Sequence, residues 1–167
     1  MEELKDSLIQ EARIDQNIQG AVSMHIPDSP KPRIVIIGGG FGGIELIKKL
    51  KKSNLFQVVL FDRHNYHTFQ PLLYQVATAG LEPDSIAAPL RRIFKGYKDF
   101  YFRMAEVKKI LPDQNCIETS IGNLKYDHLV IATGSKTNYY GNEEIKQKSF
   151  PMKQIPQALD LRSKILQ

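Results

Sequence analysis

The chain has 167 residues, 42% hydrophobic and 25% charged, with a net charge of +5 and one cysteine. That is one domain's worth of sequence with enough apolar residues for a core, which excludes a wholly disordered chain. No apolar run is long enough to cross a membrane, the charged N-terminus has no signal core, and Cys116 has no second cysteine to pair with, so a reducing cytoplasmic setting is expected.

Residues 1–30 carry six acids against Lys5 and Arg13, so the remainder holds a basic surplus larger than the net charge. Much of it sits in Lys48, Lys49, Lys51 and Lys52, and in Arg91, Arg92, Lys95 and Lys98. Such runs suit an anionic ligand or an acidic surface, and they also occur on solvated helix faces. No aromatic-interleaved motif accompanies them, so nucleic acid is not an expected partner.

Leu4, Leu8 and Ala12 give residues 1–20 the spacing of an amphipathic helix. Pro27, Pro30 and Pro32 then break the periodicity, so 20–32 reads as a linker and 1–30 as a flexible extension that packs poorly. Met24 would serve as an alternative start, which would leave a short leader before the first strand. Arg33–Ile37 is a continuous apolar run, as a strand buried on both faces of a parallel sheet requires. Ile44, Ile47 and Leu50 recur at helical spacing, with lysines on the other face and in the last turn, where cations complement the helix dipole. Gln57–Phe61 is the next strand, and the three elements form a strand–helix–strand unit with a right-handed crossover.

Gly38, Gly40 and Gly43, with Phe41 and Gly42 between them, occupy the G-x-G-x-x-G turn joining the first strand to the helix. The first glycine permits the tight turn, the second admits a pyrophosphate, and the third lets helix pack on strand. The phosphates would face the unpaired N–H groups and positive dipole end of the helix. Asp62 follows Gly43 by nineteen residues, at the end of the second strand, where a carboxylate can accept both hydroxyls of an adenosine ribose. An acid there favours a free 2′-hydroxyl, although neighbouring Arg63 would accommodate a 2′-phosphate. NAD and FAD share that ribose, so the fingerprint does not choose between them. A purely structural turn beside a surface aspartate is the competing reading.

Downstream, residues 71–94 read as two short helices punctuated by Gly80, Pro83 and Pro89. Phe100–Ile110, Asn115–Ser120 and Asn123–Lys125 read as a β-meander, and Asp127–Thr133 as a further apolar strand parallel to the first two. Ile155, Leu159 and Ile165 space a terminal helix over 154–167. The expected core is therefore a three-layer α/β arrangement carrying a meander over about 100–125. His64 and His67 lack the carboxylate or cysteine partners of a metal site and are assigned to a loop. Tyr74 and Gln75 either line a ligand or pack in the core.

An apolar strand ending in Ala132-Thr133-Gly134 after a meander resembles the second signature of flavoproteins with two dinucleotide-binding domains. The run Asp62, Arg63, His67, Phe69, Pro71, Leu72, Leu73, Tyr74, Gln75, Val76 and Ala77 resembles one branch of that family, the type II NADH dehydrogenases. The resemblance spans about residues 31–167 and implies a Rossmann-like FAD-binding domain, partial relative to the family. It implies that the backbone of Thr133 and Gly134 lies against FAD and that Val107 contacts its adenine. It also implies that NADH docks in a second domain and that electrons pass through FAD to a membrane quinone, with no catalytic acid or base in this chain.

The family's nicotinamide domain, its flavin-closing Gly-Asp segment and its membrane-binding C-terminal helices have no counterpart here. A first half of an enzyme, inactive alone, is therefore expected. When full length it would be peripheral on the cytoplasmic face of the inner membrane and form a homodimer. A stand-alone dinucleotide-binding module without turnover and another flavin branch, such as a ferredoxin or sulfide:quinone reductase, are the alternatives. Lys153 and the helix after it resemble the family segment leading toward the nicotinamide domain.

Overall fold

The computed structural model describes residues 24–167, so the helix expected over 1–20 lies outside the described residues. The chain divides into two compact units, the first comprising residues up to 64 and 96–132, the second residues 65–95 and 133–167.

The first unit is a four-stranded, wholly parallel sheet. It contains β1 (Arg33–Ile37), β2 (Gln57–Asp62), β5 (Phe100–Met104) and β9 (His128–Ile131), in the order β5-β2-β1-β9. β1 and β2 are fully apolar through their centres because both faces are covered. One cover is α1 (Phe41–Ser53), which buries Gly43, Ile44 and Ile47 and ends on Asn54 in the left-handed region. The other is the meander β6 (Val107–Leu111), β7 (Cys116–Thr119) and β8 (Gly122–Lys125). Its Ile117 and Leu124 pack with Val35, Ile37, Val59 and Phe61. The parallel sheet and its meander agree with the expectation from the sequence, but the meander is itself the third layer and not an addition to a three-layer core.

Two expectations for this unit are corrected. The run 100–110 is two strands, not one. β5 pairs in parallel with β2, from Val58 opposite Phe100 to Asp62 opposite Met104, and the meander begins only at Val107. Ala105 turns into the core between them, and its N–H donates to the Asp62 carbonyl, which closes the sheet pairing before the chain reverses. The second correction concerns the extension. Residues 24–32 are laced to the sheet, with Met24 and Ile26 packed on its core. Arg103 donates to the carbonyls of Met24 and His25, Gln57 Nε2 donates to the Pro27 carbonyl at 2.7 Å, and Lys31 pairs with Asp99 at 2.5 Å. Three prolines stop a helix here, but a proline-rich strand of chain still offers carbonyls, and the sheet's polar side chains take them.

The second unit holds α2 (Leu73–Ala77), α3 (Leu90–Ile93), α4 (Glu143–Lys148) and α5 (Ile155–Ile165). It also contains a two-stranded antiparallel ladder, β3 (Tyr66–Thr68) with β4 (Ala87–Pro89), of which β4 lies inside the stretch 71–94 expected to be helical. Short 3-10 turns at Gln70–Leu72 and Pro83–Ile86 replace most of the expected helix there. Each carries a proline in its first turn, a position where the missing N–H costs nothing. Leu73, Val76 and Ala77 pack with Ile86 and Ala158, which fixes α5 on α2.

Candidate functional site

From β1 the chain runs through β2 to β5 on one side, and β9 then pairs on the other side of β1. Strand order therefore reverses between β1 and β9, and ligands of open parallel sheets bind outside the carboxyl ends of the strands at such a reversal. The glycine turn leaves β1 at that point. Pairing is carried into the turn itself: Gly38 N–H donates to the Phe61 carbonyl at 2.8 Å, and Ala132 N–H donates to the Ile37 carbonyl at 2.8 Å.

Each glycine of the fingerprint has a different constraint. Gly38 has φ of 110°, in the region that glycine alone enters freely. A Cβ on Gly43 would stand 2.0 Å from the Gly38 carbonyl oxygen, so helix and turn touch only because that carbon is missing. Gly40 and Gly42 differ, because a Cβ on either would meet nothing within 4 Å. Packing within the chain does not require glycine at these two positions, whereas a group approaching the backbone from outside would. Gly40 is the N-cap of α1 with no side chain bonding to the helix end, and the first turn holds no acid. The positive end of the α1 dipole thus has no carboxylate of its own nearby in the helix.

Asp62 stands across this turn. Its Oδ2 accepts from Gly39 N–H at 2.6 Å and its Oδ1 from His64 N–H at 2.8 Å. Each carboxylate oxygen has a second lone pair, so the group fixes the turn and keeps acceptor capacity for a diol. Gly39 was not among the residues expected to matter, and the turn's first G-x-G spacing gave no sign that its N–H anchors the acid. Phe41 is 45% exposed at the first position of α1, and Arg63 is exposed one residue past Asp62. Val107 opens β6 opposite Thr119, half-buried against the core, with a bulge between it and Lys109. These residues lie in the first unit.

Thr133 and Gly134 follow Ala132 directly but belong to the second unit, where both are exposed. Gly134 has φ of 70° and open space where a Cβ would be. Tyr74 is 52% exposed and does not pack in the core; its hydroxyl accepts from the half-buried Gln75 Nε2 at 3.0 Å. Cys116 is buried in the meander, and burial pushes its thiol pKa up. No described helix is long and apolar enough to cross a membrane.

A family model of pyridine nucleotide-disulphide oxidoreductases matches residues 32–167. A type II NADH:quinone oxidoreductase of Mycobacterium tuberculosis is 38% identical over 138 residues, covering 80% of this chain and 30% of that protein. Among solved structures, a sulfide:quinone oxidoreductase of Aquifex aeolicus superposes with a TM-score of 0.74 at 28% identity, covering 81% of this chain and 32% of that one. The NDH2 of Plasmodium falciparum, solved with NADH, gives a TM-score of 0.73 at 27% identity, covering 81% and 29%. The chain thus spans about three-tenths of the length of these relatives.

Proposed function

The chain belongs to the pyridine nucleotide-disulphide oxidoreductase family, and on that premise we propose that it is the FAD-binding part of an NADH:quinone oxidoreductase. The observation that carries dinucleotide binding is the meeting of Asp62 with the glycine turn, beside backbone left open at Gly40; similarity to NADH:quinone oxidoreductases carries the choice of FAD. An adenosine diphosphate half fits there: phosphates against the α1 N-terminus, and ribose hydroxyls on the remaining acceptors of Asp62.

Gly38, Gly40, Phe41, Gly42 and Gly43 bind the pyrophosphate, and Gly43 holds helix to turn. Asp62 orients the ribose. Arg63 lies at its edge, and Val107 supports the adenine. Thr133 and Gly134 present backbone to the cofactor, a role that the positive φ of Gly134 suits because the chain can turn there without a side chain in the way. When bound, FAD supplies the two-electron chemistry linking NADH to quinone. The chain's own work is to hold and orient it; no proton transfer is assigned to a residue here. NADH and quinone are partners of the whole enzyme, which would act as a homodimer at the cytoplasmic face of the membrane.

The similarity to a sulfide:quinone oxidoreductase supports a second reading, reduction by sulfide instead of NADH. The higher identity to a type II NADH:quinone oxidoreductase, 38% against 28%, favours the first reading. The protein purified from its full reading frame should carry FAD, bleach with NADH and recover its colour with a soluble quinone. Bleaching by sulfide but not NADH would establish the second reading. Protein that binds FAD yet is bleached by neither would be a binding module without turnover.

A further inference from the structure

We propose that Lys153 is a positioning residue for the cofactor, clamping the loop that begins at Thr133 and holding a fixed positive charge on it. The inference rests on the reading of Thr133 and Gly134 as FAD-contacting backbone.

Residues 133–139 have no regular secondary structure, so a side-chain bond can set where they stand. Lys153 Nζ donates to Ser135 Oγ at 2.7 Å, one residue past Gly134. The lysine is itself fixed from both sides of its backbone. Its N–H donates to Gln157 Oε1 at 2.8 Å, and its carbonyl accepts from Gln70 Nε2 at 3.0 Å. Gln157 Oε1 also accepts from Gln154 N–H at 3.2 Å, as part of a reciprocal cap on α5. One residue on, Ala158 is fully buried against α2. Rigidity therefore runs from the α2–α5 core through Gln157 to Lys153, and from Lys153 to the loop.

Fold stability gives little reason for this arrangement. Ordering a lysine side chain costs rotamer freedom, and an exposed bond to a hydroxyl returns little of it. Among the described residues the ammonium group meets no carboxylate, so its charge is left for something else. A fixed cation on a loop lying against a flavin favours the reduced, more negative form of that cofactor. Lys153 would thereby set both where the loop stands and how readily FAD accepts electrons.

The test uses Lys153→Met, Lys153→Arg and Ser135→Ala in the protein from its full reading frame. Hydrogen exchange of the 133–138 amides is read without cofactor; FAD affinity and midpoint potential are read with it. Both Lys153→Met and Ser135→Ala should speed exchange in the loop and weaken FAD binding. Lys153→Met should also weaken binding of reduced FAD about tenfold more than oxidised FAD, a fall of about 30 mV for a two-electron couple. Lys153→Arg should restore the potential. Faster exchange with unchanged affinity and potential would overturn the proposal, leaving only a structural brace, and unchanged exchange would remove the clamp itself. Wild-type protein that binds no FAD would overturn the underlying reading, a result visible before any variant is made.

Discussion

The three glycines at Gly40, Gly42 and Gly43 separate what the fold needs from what a ligand needs. Gly43→Ala forces a carbon to within 2.0 Å of the Gly38 carbonyl, so turn and helix must separate. We expect a loss of about 1–3 kcal/mol, the usual cost of overpacking, read as a lower denaturation midpoint. Gly42→Ala has open space and a helical backbone, so the cofactor-free protein should gain up to about 1 kcal/mol from helix propensity. Gly40→Ala, at the N-cap, should cost the cofactor-free fold no more than about 1 kcal/mol while weakening FAD binding. Equal losses of stability at 40 and 43 would show that both glycines serve packing alone. Cys116 gives a separate residue-scale test. Burial shields its sulfur and, by raising the pKa, disfavours the thiolate, so alkylation by iodoacetamide should be far slower in native than in denatured protein. The same shift takes stability away as pH rises above the ordinary thiol range, because the folded state holds the proton longer than the unfolded chain does.

At the scale of elements, strands with both faces covered were legible in the sequence and strands with one neighbour less so. β1 and β2 are apolar through their centres because both faces there are covered, and their bounds came out within a residue. β5 and β6 were read as one strand because no glycine, proline, asparagine or aspartate punctuates residues 100–111. Only the inward turn of Ala105 and the pairing of β5 with β2 divide them, and both are tertiary facts. The β3–β4 ladder was missed for a related reason: each strand is three residues long, too short for a period to register. Of the site, the glycine spacing and Asp62 were legible because each follows from backbone geometry local to one βαβ unit. The bond from Gly39 to Asp62 and the Lys153 clamp link residues distant in sequence, and no local pattern marks them. The laced segment 24–32 yields a prediction of its own. Deleting 1–23 should change stability little, whereas deleting 1–32 removes Met24, Ile26 and the carbonyl partners of Arg103 and Gln57. That second deletion should cost more than about 2 kcal/mol, the scale of buried contacts, in urea unfolding. Equal stability of the two products would mean that the lacing adds nothing.

For the molecule as a whole, the account is that a parallel sheet brings its strand ends, a glycine turn and one carboxylate to a single point, and that this point holds FAD. Asp62 tests it most directly, because it joins the turn to the ribose. Two of its acceptor sites already serve Gly39 and His64, so Asp62→Ala should also loosen the turn. Asp62→Asn keeps a single acceptor oxygen and sets an N–H₂ group against one of those two backbone donors, so it should be impaired too, by less. The decisive measurement is a fluorescence titration of FAD into cofactor-free wild type, Asp62→Ala and Asp62→Asn, with circular dichroism confirming that each is folded. Losing charge-assisted bonds worth roughly 1.5–3 kcal/mol apiece should weaken binding by about ten- to a hundredfold in Asp62→Ala, with Asp62→Asn between it and wild type. Equal affinities in all three folded proteins would contradict the account, because the carboxylate would then have no part in holding the cofactor.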